Sequence, residues 1–318
     1  MKNQLRSHYR WILSLVIVSF AFITSFPALA QSIQKEQQIQ FVSDAPLRLI
    51  NIGDADLAVR YHKGEGIPIV FVHGSWDDHH SWIPVIEQVY SHVKNPIIVY
   101  DRRGHSASTP DIKQGSVSQD VNDVLSLMKS LDIERAHFVG HSYGANIVIQ
   151  LTISNPEKVR SVVLYEPPVF GLLKDNVNYM PALKRVKEAM TSAKKMLQNG
   201  DIEKGTMEFV EKAAFGDGSW YKVFDERARC TMTANYRTWL DQSNDPERLN
   251  IHPEKLNIYK EKITVITGGN SLEVYPDVVK ELKSRVPEIS VKVIPGAGHG
   301  GLVSHSRQTA NVIIEHLK

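Results

Sequence analysis

The 318-residue chain is 42% apolar and 23% charged, carries a formal net charge of +2 and has a single cysteine, Cys230. That size and apolar content bury a full core without disulfide or metal staples, and they exclude a fibrous or disordered protein. A near-neutral charge with no basic run excludes an electrostatic footprint for nucleic acid.

Residues 1–30 read as a secretory signal peptide. Lys2, Arg6 and Arg10 precede an apolar stretch from Trp11 to Phe26, and Pro27-Ala28-Leu29-Ala30-Gln31 is a small-x-small cleavage pattern. The apolar run is shorter than the roughly 20 residues a spanning helix needs. The expectation is cleavage after Ala30, a mature chain of net charge −1 without stable membrane insertion, and a periplasmic or secreted location. In that oxidising setting Cys230 is expected to be a buried core cysteine. Residues 31–45 are Gln-rich and read as a polar arm.

From residue 46 short apolar runs alternate with helical patterns. Ile67–Val72, Pro96–Tyr100, Ala136–Gly140 and Ser161–Tyr165 read as strands; Ser81–Val93, Val117–Leu131 and Ala145–Ile153 read as helices. Continuous apolar strands between helices predict a mostly parallel sheet covered on both faces, an α/β fold. The rhythm breaks between residues 170 and 255, where three helical stretches (Ala182–Gln198, Ile202–Phe215 and Trp220–Leu240) follow Pro167-Pro168. Strands return at Ile263–Thr267 and Val291–Ile294, and a last helix runs from Ser306 to Leu317. The expected division is a core over 46–166, a helical cap over 167–255 and the rest of the core over 256–318.

Gly140-His141-Ser142-Tyr143-Gly144 stands where a strand meets a helix. A turn this tight leaves no room for a Cβ at the flanking glycines, and a serine at the helix start has backbone N–H groups aimed at developing negative charge. A serine hydroxyl needs a base, and the chain order points to His299, in the glycine-rich loop Pro295–Gly300 after the last strand. His305 and His316 compete with it; His316 reads as a surface residue near a helix end. His79-His80 suggests a metal only weakly, because adjacent histidines rarely ligate one ion and no further ligand has suitable spacing. The pair reads as polar loop residues. No metal or organic cofactor is expected, only a small-molecule substrate.

These motifs, with His73-Gly74-Ser75-Trp76 and Asp101-Arg102-Arg103-Gly104-His105-Ser106, resemble the α/β-hydrolase superfamily over about residues 46–318. The resemblance implies an α/β-hydrolase fold and a serine mechanism with an oxyanion hole made by the N–H groups of Ser75 and Tyr143. It also implies an internal ion-pair network around the Asp101–His105 turn. The chain departs from the pattern at the acid. Where most of the superfamily has Gly-x-x-Asp, this sequence has Gly268-Gly269-Asn270-Ser271, and serine supplies no fixed negative charge. Glu166, directly after the strand Ser161–Tyr165, resembles the acid of some haloalkane dehalogenases. Glu273 is the rival. The strand end is the better-fixed platform, so the expected triad is Ser142, His299 and Glu166.

A serine at the elbow implies acyl transfer, hence an ester, thioester or lactone substrate of small to medium size and partly apolar character. Two other outcomes stay open: a non-catalytic ligand-binding protein on the same scaffold, and a cofactor-free C–C hydrolase or perhydrolase.

Overall fold

The structure is a computed structural model that describes residues 40–110, 113–259 and 261–318. The expected signal peptide and most of the polar arm lie outside the described residues. The chain divides between residues 44 and 45 into two units. In the first, residues 40–44 are helical; everything below concerns the second.

Eight strands form one sheet: β1 (Arg48–Asn51), β2 (Asp56–His62), β3 (Ile69–Val72), β4 (Ile97–Tyr100), β5 (Ala136–His141), β6 (Val159–Tyr165), β7 (Ile263–Gly268) and β8 (Ser290–Ile294). Their spatial order is β1-β2-β4-β3-β5-β6-β7-β8. β2 pairs antiparallel with both neighbours, and the remaining pairs are parallel. The central strands read as unbroken apolar runs because they are covered on both faces; β3 and β4 are buried at every position. β1 escapes the apolar-run signal because it is a short edge strand with mostly exposed positions.

Helices α1 (Ile83–Tyr90), α2 (Val117–Ser130), α3 (Tyr143–Ser154), α9 (Val274–Arg285), α10 (Gly301–Ser304) and α11 (Ser306–Leu317) connect or follow the strands. Between β6 and β7 the described residues carry helices and no strand, with α4 (Met180–Gln198), α5 (Ile202–Glu208), a π-helical turn (Phe209–Ala214), α6 (Ser219–Lys222), α7 (Glu226–Ala234) and α8 (Tyr236–Asn244). The single helix expected over Trp220–Leu240 is therefore three. Asp225 caps α7 by accepting from the Ala228 N–H at 2.8 Å. Asn235 breaks the run because its buried side chain is used elsewhere: Nδ2 donates to the Trp76 carbonyl and Oδ1 accepts from the Ser106 N–H, both at 3.0 Å. Asn235 thus ties the segment to two loops of the sheet. Trp220, Phe224, Met232 and Trp239 form a small apolar cluster with Trp76. Met180, which opens α4, is 43% exposed.

Two single-residue expectations fail. Cys230 is exposed, because it lies on the outer side of α7, whose one buried residue is Met232. His316 is buried: its ring bridges β6 and β7, with Nε2 and Nδ1 at 2.7 and 2.8 Å from the hydroxyls of Ser161 and Thr264. A sequence position near a helix end does not show that its inward face lies on the sheet.

Candidate active site

The turn between β5 and α3 is as tight as its glycines require. A Cβ on Gly140 would lie 2.7 Å from the Ala145 Cα, and one on Gly144 would lie 2.5 Å from the His73 carbonyl oxygen. Ser142 itself takes φ 53° and ψ −124°, a conformation that L-residues rarely adopt. Its N–H donates to the Tyr165 carbonyl at 2.9 Å, which locks the elbow to the end of β6. Gly74 passes so close that a Cβ there would stand 3.1 Å from the Ser142 Cβ. Ser75, next in that loop, lines the same pocket as Ser142 and Tyr143. Tyr143 opens α3, where the first N–H groups of a helix have no intrahelical acceptor.

His299 follows β8, two strands from β6, and Glu166 reaches it across the end of β7. The His299 Nδ1–H donates to Glu166 Oε2 at 2.8 Å, which leaves Nε2 with its lone pair. Both groups are buried, at 2% and 0% exposure. The other carboxylate oxygen, Oε1, accepts from the Thr267 hydroxyl and the Gly268 N–H, both at 2.8 Å, and from the Ser271 hydroxyl at 2.5 Å. Ser271, which stands where an aspartate was expected, is a hydrogen-bond donor to the carboxylate that stands elsewhere. Glu166 sits at φ 45° and donates its own N–H to the Ile266 carbonyl. The structure does not bring Glu273 to this cluster. It flanks α9, 67% exposed, and accepts from Arg185 at 2.5 Å.

The loop that carries His299 is held by residues that sequence reasoning did not single out. His141, the second residue of the elbow motif, donates from Nε2 to the His299 carbonyl at 2.8 Å. Burial, reinforced by the neighbouring His299, holds its pKa well below the usual histidine range, so it is a neutral donor. The Tyr165 hydroxyl donates to the Gly298 carbonyl at 2.8 Å. The Tyr275 ring stacks on the His299 ring at 4.0 Å and 24°. In the sequence only the position of His141 inside the motif could have marked it, since its role depends on where a loop 158 residues later lands.

The Asp101–Ser106 turn is a buttress. Arg102 pairs with Asp120 at 3.0 Å and donates to the Gly74 carbonyl; Arg103 pairs with Asp123 at 2.7 Å. Burial, with Arg102 alongside, pulls the His73 pKa down to about 3, so His73 is neutral; its Nδ1–H donates to the Gly74 carbonyl. His79 is part of this frame, not a polar loop residue. Its Nδ1–H donates to Asp101 at 2.6 Å and its Nε2 accepts from the Arg60 Nε–H at 3.1 Å. Among the described residues Asp78, His79 and His80 are the one grouping compact enough for a metal ion. Both His79 nitrogens are already engaged, so the grouping offers no imidazole lone pair from that ring. Also among the described residues, no helix is long and apolar enough to cross a membrane.

A pocket of about 50 Å³ opens on Ser142. Phe170, Met190, Phe209 and Trp239 give it apolar walls, and Gln242 and Arg248 enter it from the helical segment and the turn after it.

The family model for the alpha/beta hydrolase fold matches residues 67–306. The chain belongs to the α/β hydrolases. A provisionally named carbamate hydrolase, RutD of Azorhizobium caulinodans, is 33% identical over 112 residues, which cover 35% of this α/β hydrolase and 41% of that protein. The match therefore spans less than half of that relative. A hydrolase from Pseudomonas aeruginosa PA01 is 20% identical and superposes with a TM-score of 0.70 over 86% of this chain and 98% of that one. A thermophilic esterase from Thermogutta terrifontis is 17% identical, with a TM-score of 0.68 over 86% and 98%. Those two likenesses are likenesses of fold.

Proposed function

We propose that this α/β hydrolase is an exported serine hydrolase that cleaves an ester-type bond (ester, thioester or lactone) through an acyl-enzyme. The observation that carries the proposal is the buried His299–Glu166 pair, whose hydrogen bond points the free lone pair of Nε2 away from the acid. Ser142 attacks the carbonyl carbon as His299 takes its proton. The N–H groups of Ser75 and Tyr143 receive the oxyanion, a donor pair worth roughly 3 kcal/mol per member. The proton returns from His299 to the leaving alcohol or thiol, and water repeats the sequence to release the acid. Glu166 keeps the Nδ1–H tautomer and stabilises the imidazolium. Residues 167–255 act as a cap over the nucleophile.

The competing reading, a binding protein without catalysis, predicts a missing triad member. The buried carboxylate with four hydrogen-bond donors argues against it. The test is turnover of p-nitrophenyl acetate and covalent labelling by a fluorophosphonate, each compared with Ser142→Ala. Loss of both signals in the variant is expected. Equal rates in the two proteins would refute the serine mechanism.

A further inference from the structure

Among the described residues Arg248 is the one charged side chain lining the Ser142 pocket, and no aspartate or glutamate lines it. It is half-buried, and among the described residues it has no carboxylate within ion-pair distance. Its one direct polar contact is a long 3.4 Å hydrogen bond from Nη2 to the Ser243 carbonyl. The nearby Asp245 favours the cation through space but makes no ion pair with it; its oxygens accept from the backbone N–H groups of Val117 and Glu247, at 2.8 Å each. Arg248 Nε is buried and unpartnered, and so are two other polar atoms on the same pocket: the Tyr143 hydroxyl and the Asn146 amide oxygen. Tyr143 and Asn146 are 4% and 2% exposed. The Asn146 amide can turn by 180° to present its N–H groups instead.

A partly buried cation without an ion-pair partner is costly, and so is each buried polar atom left without a partner. Three such groups on one small pocket beside a nucleophile share one remedy, an acceptor-rich anion. We infer that the substrate carries a carboxylate or similar anionic group close to its scissile bond, held by Arg248 together with Tyr143 and Asn146. This deepens the proposed function and rests on it as far as the Ser142 pocket is the ester site. The apolar walls then take the short carbon chain between the two polar ends, so the substrate class is the half-ester of a short dicarboxylic acid or a close analogue. A planar guanidinium suits a carboxylate because it donates two parallel hydrogen bonds.

The test uses the full-length protein and the monomethyl esters of malonic, succinic, glutaric and adipic acids. Each is paired with a neutral ester in which an isopropyl group replaces the carboxylate, as methyl 5-methylhexanoate does for the glutarate. Hydrolysis is followed in a pH-stat. At least one half-ester is expected to exceed its neutral partner in kcat/KM by tenfold or more. Arg248→Gln should collapse that ratio towards one, and Arg248→Lys should keep an intermediate ratio. A wild-type ratio near one throughout, or a ratio that survives Arg248→Gln, overturns the inference. If neither ester class is turned over and the fluorophosphonate does not label Ser142, the serine-hydrolase proposal has failed instead. Calorimetric binding of glutarate then decides the anion site: binding that Arg248→Gln removes supports it, and no binding to either protein overturns it.

Discussion

Replacing Glu166 by glutamine isolates the contribution of the acid with almost no change of shape. The amide oxygen can still accept from Thr267, Gly268 and Ser271. The amide nitrogen then faces His299 where a carboxylate oxygen stood 2.8 Å away. Two donors cannot share that contact, so the imidazole must adopt the tautomer with its proton on Nε2, which cannot accept the Ser142 proton. The charge is lost as well. A carboxylate about 4 Å from an imidazolium contributes about 4 kcal/mol at an effective dielectric constant of about 20. That alone is a thousandfold in rate, at about 1.4 kcal/mol per factor of ten. With the wrong tautomer added, kcat should fall by about ten-thousandfold, as carboxylate-to-amide exchange does in a serine protease triad. The assay is kcat for p-nitrophenyl acetate in wild type, Glu166→Gln and Glu273→Gln, with near-ultraviolet circular dichroism to verify folding. A folded Glu166→Gln within tenfold of wild type would refute the reasoning, as would an equal fall in Glu273→Gln.

Three further outcomes follow. Because Ser271 already touches Glu166, Glu166→Ala/Ser271→Asp should recover at least tenfold in kcat over Glu166→Ala alone; no recovery would show that the loop cannot hold an acid. His141→Phe removes the donor to the His299 carbonyl and should lower kcat by tenfold to a hundredfold with little change in KM, while His141→Gln restores part of it; a KM effect alone would contradict a positioning role. Acid should unfold the protein early: burial first, then neighbouring positive groups, depress the folded-state pKa of His73, His105 and His141, whereas the unfolded chain protonates near pH 6.5. The unfolded state therefore binds more protons below that pH, and stability falls as pH drops, by about 1.4 kcal/mol per pH unit for each histidine and about 4 kcal/mol for the three. Thermal midpoints at pH 7 and pH 5 measure it; equal midpoints would contradict neutral burial of these rings.

Much of the site was legible because its constraints are local. The elbow announces itself through two glycines that steric contact demands, and Glu166 through its place at the end of an apolar strand. The strand is fixed by its ladder, so the residue that directly follows it can be placed without knowing the loops. Arg248 was not legible, because its approach to Ser142 depends on how the helical segment packs, and a single arginine in a turn carries no periodic signal. The break at Asn235 was missed for a related reason. Its cause is a pair of hydrogen bonds to Trp76 and Ser106, far away in sequence, while the local pattern favours a continuous helix. His79 reads as a polar loop residue and His316 as a surface residue, because a histidine paired inside a core looks the same in sequence as one in solvent.

Ser142 is kept at a backbone angle that glycine would adopt freely, and such a conformation costs about 1–3 kcal/mol in an L-residue. The most stable version of this chain is therefore not the one that exists. Ser142→Gly should melt at a higher temperature than the natural protein, even though it discards the hydroxyl. The elbow is a standing debt on the fold, and selection for stability alone would erase the hydroxyl on which the proposed mechanism depends.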